Sequence, residues 1–200
     1  YGSFGGKWFS SYDYTRLIKG PCRYDPDFPG VCIPTTAKVT FPDGSSYTYT
    51  NQSNVGSSLG YLAANGASAM GSMVLLIPPT GPQRFLLTID NVDYTYTAST
   101  GLIQNIRRAG VTLLSFTYDP GTGQVSRLTN AVGQTIDFTW TNGRITQVKD
   151  PNGNFWNYGY NAAGMLTSVA SPGGANQRTY HYEDSTDGTR LTGISVNGVR

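Results

Sequence analysis

The chain has few residues able to do chemistry. His181 is the only histidine, and it lies between Tyr180 and Tyr182. A general base needs an orienting partner and a nucleophile within reach, and no recognisable set accompanies His181 in the sequence. Strand alternation places it on the face opposite the two tyrosines. Asp119, Asp150, Asp184 and Asp187 fall in or beside turns, where an aspartate caps nearby backbone amides. Paired-carboxylate hydrolysis would require two of them to meet through the fold. The expectation is a chain that is not an enzyme, with no catalytic residue.

Cys22 and Cys32 are the only cysteines, set in a loop that also holds Pro21, Pro26, Pro29 and Pro34. A local disulfide in an oxidising compartment is expected, against the alternative of two buried thiols. No third cysteine or nearby histidine completes a zinc set. Asp25 and Asp27, beside Tyr24, are too few for a calcium loop. No metal and no cofactor are expected.

The remaining candidates are aromatic. Pairs two residues apart recur at Tyr94/Tyr96, Phe116/Tyr118, Phe138/Trp140, Tyr158/Tyr160 and Tyr180/Tyr182, their first members separated by 22, 22, 20 and 22 residues. Residues two apart share a strand face but do not meet on a helix. A fixed period of this length means an array of one supersecondary unit. Such side chains can form a buried ladder or a stacking platform for a ligand.

The elements that must position them are hairpins. Arg144 to Lys149 and Asn154 to Tyr160 flank Asp150-Pro151-Asn152-Gly153, where Pro presets φ, Asn tolerates the left-handed region and Gly closes the turn. Asn142-Gly143 and Asn197-Gly198 are further hairpin signals, joined by Asp119-Pro120-Gly121 and Ser171-Pro172-Gly173-Gly174. Upstream, Val39-Thr40-Phe41 and Tyr47/Tyr49 flank a turn at Pro42 to Ser45. Ser57 to Pro82 is rich in Gly, Ala and Ser; Leu59, Leu62 and Ala63 fit a short helical turn, and Met73 to Ile77 a buried strand. Asn51-Gln52-Ser53 matches a glycosylation acceptor pattern, read as a chance occurrence.

Composition narrows the class. Aromatic residues make up 12% and glycines number 25, which argues for a folded chain. The net charge is +2, and Arg107-Arg108 is the only adjacent basic pair, so nucleic-acid binding is not expected. No charged residue occurs from Gly44 to Gln83, yet the longest apolar run there, Met73 to Ile77, is too short to span a bilayer. Membrane insertion is therefore not expected. The chain begins at Tyr1 without Met and reads as a processed product or an excised piece.

Tyr118-Asp119-Pro120, Gly143 to Gly153 and Tyr158-Gly159-Tyr160-Asn161 resemble the YD repeat of RHS proteins, relatives of the teneurins. Phe4-Gly5-Gly6-Lys7-Trp8 with Ser11-Tyr12-Asp13-Tyr14 is similar to the segment that opens the RHS core. The Asp that follows the second aromatic stands at Asp119 but is replaced at Thr141, Asn161 and Glu183. The resemblance implies an all-β fold in which antiparallel hairpin repeats form a curled, spiral-type sheet, part of an RHS β-shell. Residues 1–93 would be the opening region with divergent hairpins, and 94–200 an array of about five units. It implies a structural segment of a shell that encapsulates or carries a C-terminal toxin or effector. The alternative is an extracellular or cell-surface module for glycans or a partner protein. Expected partners are the rest of its own shell and the effector, with an edge-mediated dimer in solution; expected localisation is secreted or cell surface, through bacterial export.

Overall fold

The computed structural model describes residues 4, 16–24, 26, 29–41, 43, 45–55, 58–63 and 71–200, apart from the side chains at 52–59 and 61–63. Asp25, Asp27 and, except Phe4, the motif that resembles an RHS-core opening lie outside these residues. The chain divides into two compact units. One is Tyr14–Phe116; the other is Thr117–Arg200 with the N-terminal segment that contains Phe4. A boundary at 93/94 would fall inside a strand, Val92–Thr97.

In the unit Tyr14–Phe116 the strands are β1 (Ile18–Lys19), β2 (Cys22–Arg23), β3 (Ile33–Pro34), β4 (Thr36–Thr40), β5 (Ser46–Val55), β6 (Ser58–Ala63), β7 (Ser72–Leu76), β8 (Arg84–Ile89), β9 (Val92–Thr97), β10 (Ile103–Arg108) and most of β11 (Val111–Tyr118). They run β1-β4-β5-β6-β7-β8-β9-β10-β11, each antiparallel to its neighbour, while β2 and β3 form a separate ribbon. The alternating pattern of β4, β7 and β8 buries every second residue, as a half-covered sheet requires. Leu75, Phe85, Tyr96 and Ile103 stand in one cross-strand row, and Met73, Leu87, Tyr94 and Ile106 in the next. Tyr49, Phe85, Met73 and Leu75 are fully enclosed. The helical turn expected at Leu59 to Ala63 is instead β6, paired with β5 on one side and β7 on the other. Ladder bonds on both edges override a three-residue apolar spacing that only locally favours helix.

In the unit Thr117–Arg200 the strands are β12 (Val125–Asn130), β13 (Thr135–Thr141), β14 (Arg144–Lys149), β15 (Phe155–Tyr160), β16 (Leu166–Ala170), β17 (Gln177–His181) and β18 (Gly193–Val196). Again each pairs antiparallel with the next. The β13–β14 connection has Asn142 at φ 51° and Gly143 at φ 75°, the pair of positive φ values of a type I′ turn. The Asp150 turn closes with Gly153 N donating to Asp150 O at 3.0 Å and Asp150 N to Asn154 O at 2.9 Å. Regular structure among the described residues is all strand, apart from one 3-10 turn at Pro172–Gly174. The fold is thus an open antiparallel hairpin array of the all-β class expected. Register slips at Gln52, Gln104, Leu113, Thr146 and Thr167 insert one extra residue each, and such bulges increase local twist, consistent with a curled sheet.

Candidate functional site

The aromatic pairs face apolar pairs three residues apart. Tyr94 and Tyr96 stand opposite Ile106 and Ile103; Phe138 and Trp140 opposite Val148 and Ile145; Tyr158 and Tyr160 opposite Val169 and Leu166. An odd spacing would normally send the two apolar residues to opposite faces. The bulged residue between them, Gln104, Thr146 or Thr167, restores the shared face. Tyr180 opposes Ile194 in the same way.

The second aromatic of a pair also reaches back to the preceding unit through its polar tip. Trp140 Nε1 donates to the Val125 carbonyl at 2.7 Å, Tyr160 Oη to the Ile145 carbonyl at 2.6 Å, and Tyr182 Oη to the Leu166 carbonyl at 2.9 Å. Each acceptor lies beyond the end of its hairpin ladder, since β14 pairs β15 through 147–149 and β16 pairs β17 through 168–170. Burial, with neighbouring Tyr158 adding to it, pushes the Tyr160 phenol well above its ordinary value, so it stays a donor. Arg144 packs 5.8 Å from the centroid of the Tyr160 ring, and the Phe4 ring meets Tyr158 at 4.7 Å.

Of the ten ladder residues, Tyr96, Phe138 and Tyr180 are buried, and Tyr94, Phe116, Tyr118, Trp140, Tyr158, Tyr160 and Tyr182 are partly covered. None is exposed. Open aromatic surface lies elsewhere: at Tyr24 in the other unit, 72% exposed, and at Phe155 and Trp156, 44% and 38% exposed. These neighbours point to opposite faces of β15, and Lys149 Nζ sits 6.0 Å from the Phe155 ring centroid. Phe155 and Asn157 line a groove of about 390 Å³ floored by the Ser171 to Gly174 turn. Asn157 Oδ1 accepts from Gln147 Nε2 at 2.9 Å across the strands.

The turn carboxylates serve the backbone. Asp119 accepts from the amides of Thr122 at 2.8 Å and Gly121 at 3.1 Å. Asp150 accepts from those of Asn154 and Asn152 at 2.8 and 2.9 Å, and Asp184 from Thr186 at 2.8 Å. These bonds hold all three below the usual carboxylate range: Asp119 chiefly through the Thr122 amide, Asp150 through the Asn154 side chain, Asp184 through the Thr186 hydroxyl. Asn161, at the aspartate position of its repeat, accepts from the Met165 amide at 2.9 Å.

His181 has partners that sequence reasoning missed. Its Nε2 lies 2.7 Å from Ser195 Oγ and its Nδ1 3.7 Å from Glu183 Oε1. Thr179, opposite Ser195, places them on the face away from the tyrosines. Glu183 is in turn gripped by Arg200, at 2.9 Å from Nη1 and 2.7 Å from Nη2. A serine, an imidazole and a carboxylate in this order can activate a hydroxyl. Here Ser195 is only 6% exposed and Glu183 is shared with Arg200; the chain of contacts ties β18 to β17. A pairing register visible only after folding was the missing signal.

Cys22 and Cys32 are joined as a disulfide with Cα atoms 5.1 Å apart, across the β2–β3 ribbon. Among the described residues no group of three or more His, Cys, Asp and Glu side chains converges. None of the described helical structure is long and apolar enough to cross a membrane.

Residues 140–175 match the family model described as RHS Repeat. A comparison with curated proteins finds no significant match. The matched segment runs from Trp140 through the Asp150 turn, Tyr158/Tyr160 and Leu166, which is one full unit with its bulge and its aromatic tie. The same tie is made one unit earlier by Trp140 and one unit later by Tyr182; the chain carries an RHS repeat.

Proposed function

We propose that this chain is a non-catalytic wall segment of an RHS-type β-shell that encloses or carries a C-terminal effector. The observation that supports the reading is the tie from three aromatic tips, Trp140, Tyr160 and Tyr182, to a carbonyl of the preceding unit. It makes the array a chain of mutually fixed hairpins, which suits a wall more than a set of free recognition loops. β18 extends the reading. Leu191, just before β18, is 40% exposed, whereas Ile145 and Leu166 at the same place in their units are 1% and 3% exposed. We read this apolar side of β18 as covered by a neighbouring strand, of the shell or of a second copy in an edge-mediated dimer. RHS repeats are typically extracellular or at the cell surface, and the disulfide suits an oxidising compartment, so we extend the reading to secretion by a bacterial export route. Electron cryomicroscopy of the native polypeptide that carries these residues tests it. A closed wall of strands around internal density is the expected result; an open sheet enclosing nothing overturns it.

A second reading, a surface module for glycans or a partner protein, is favoured by Phe155 and the groove beside it. Its test is saccharide or protein binding that is lost in Phe155→Ala at unchanged melting temperature.

A further inference from the structure

The groove beside β15, in the unit Thr117–Arg200, has a volume of about 390 Å³, within the roughly 300–1,000 Å³ of small-molecule sites. One wall is the Phe155 ring, which at 44% exposure is open to contact. The floor is the Ser171 to Gly174 turn, where Gly173 and Gly174 stand at φ +70° and +73° and a Cβ on either would meet nothing within 4 Å. Without side chains at these two positions, a ligand reaches bare backbone.

Two amides of the lining are each fixed through one end. Asn157 Oδ1 accepts from Gln147 Nε2 at 2.9 Å, which leaves Asn157 Nδ2 as a donor. Asn154 Nδ2 donates to Asp150 Oδ2 at 2.9 Å, which leaves Asn154 Oδ1 as an acceptor. These bonds assign the oxygen and nitrogen ends and order both side chains before any ligand arrives, which lowers the entropy lost on binding. None of the residues that line the groove is ionisable, so the lining offers a charged ligand no ion pair. A hydroxyl, by contrast, both donates and accepts. A saturated ring with an apolar face and hydroxyls on its edge meets the aromatic ring, the donor and the acceptor together.

We propose that this groove binds a neutral pyranose, its C–H face on the Phe155 ring and its hydroxyls on Asn157 Nδ2 and Asn154 Oδ1. The proposal rests on the second reading above and names the ligand class for it.

The test is a titration of the full isotope-labelled chain with the methyl β-glycosides of glucose, galactose and N-acetylglucosamine and, separately, with the charged methyl β-glucuronide, followed by amide shifts. Saturable shifts at Phe155, Asn157, Gly173 and Gly174 are expected for at least one neutral glycoside, with the glucuronide binding no tighter than the glucoside. Phe155→Ala should weaken that binding roughly tenfold, the scale of one lost aromatic contact. Asn157→Asp keeps the acceptor for Gln147 and removes the donor, and should weaken it about fivefold, the net worth of one hydrogen bond. The proposal is overturned by shifts that are absent or lie away from the groove for all three neutral glycosides, by tighter binding of the glucuronide, or by an affinity that Phe155→Ala leaves unchanged. If the glycosides fail while a partner protein binds in a Phe155-dependent way, this proposal falls and the second reading stands; if both fail, both fall.

Discussion

Tyr160 donates its hydroxyl to the carbonyl of Ile145 at 2.6 Å, while its ring stands across from Leu166. One side chain thus fills the apolar row of its own unit and bonds a carbonyl of the unit before that lies past the β14–β15 pairing. Replacement by Phe keeps the first role and removes the second. Tyr160→Phe should lower the unfolding free energy by about 1 kcal/mol, the net worth of one such bond, and Tyr160→Ala by about 3–5 kcal/mol. Urea unfolding of the two variants separates the contributions. Equal losses would mean that the hydroxyl bond contributes most of what the residue does.

Phe138 and Phe155 make a matched pair for asking which aromatics form the core. Phe138 is 7% exposed opposite Val148, and Phe155 is 44% exposed. Phe138→Ala should cost about 3–5 kcal/mol, whereas Phe155→Ala should stay within about 0.5 kcal/mol. Thermal unfolding of both in one buffer decides the matter. A large loss at Phe155 would place that ring in a covered interface.

The aromatic arm of each unit was legible because its period is two, the strand period, and Asn142-Gly143 and the Asp150 turn carried their own backbone chemistry. The returning arm was harder. Ile145 and Val148, or Leu166 and Val169, lie three apart, a spacing that suggests neither a simple strand nor a long helix. One extra residue, Thr146 or Thr167, reconciles it, and bulges have no compositional signature of their own. The helical turn expected at Leu59 to Ala63 failed for a different reason, since β6 has no bulge of its own and its backbone is set by pairing with β5 and β7. His181 could be assigned a face but not partners, since Ser195 reaches it only through the β17–β18 register. The tip-to-carbonyl ties were likewise hidden, because tyrosine or tryptophan at the second position gives no hint of which carbonyl is left outside the ladder.

Acid should loosen the Thr117–Arg200 unit. Asp119, Asp150, Asp184 and Glu183 are all held below their ordinary values, the first three mainly by turn hydrogen bonds and Glu183 mainly by Arg200. A depressed folded-state value contributes stability above the unfolded-state value, near pH 4, that is lost as pH falls through the folded-state value. Urea midpoints should therefore be level above about pH 5 and decline steadily below about pH 4. Asp150→Asn should start lower and show a shallower decline. A midpoint that rises on acidification would contradict the sign of these shifts.

Gly164 tests how tightly successive units are fitted. Its φ is +77°, and a Cβ there would fall on the Arg144 guanidinium, which packs against the Tyr160 ring. Gly133, at φ +83°, has open space at the same point. Both Gly→Ala changes incur the left-handed strain of about 1–2 kcal/mol, but only Gly164→Ala must also displace Arg144. It should therefore be the more destabilising of the two. If the guanidinium causes the excess, Arg144→Ala should remove it, so that Gly164→Ala in that background costs no more than Gly133→Ala. A double-mutant cycle by urea unfolding measures the coupling; strict additivity would mean that Arg144 swings clear without loss and that its place between the units is incidental.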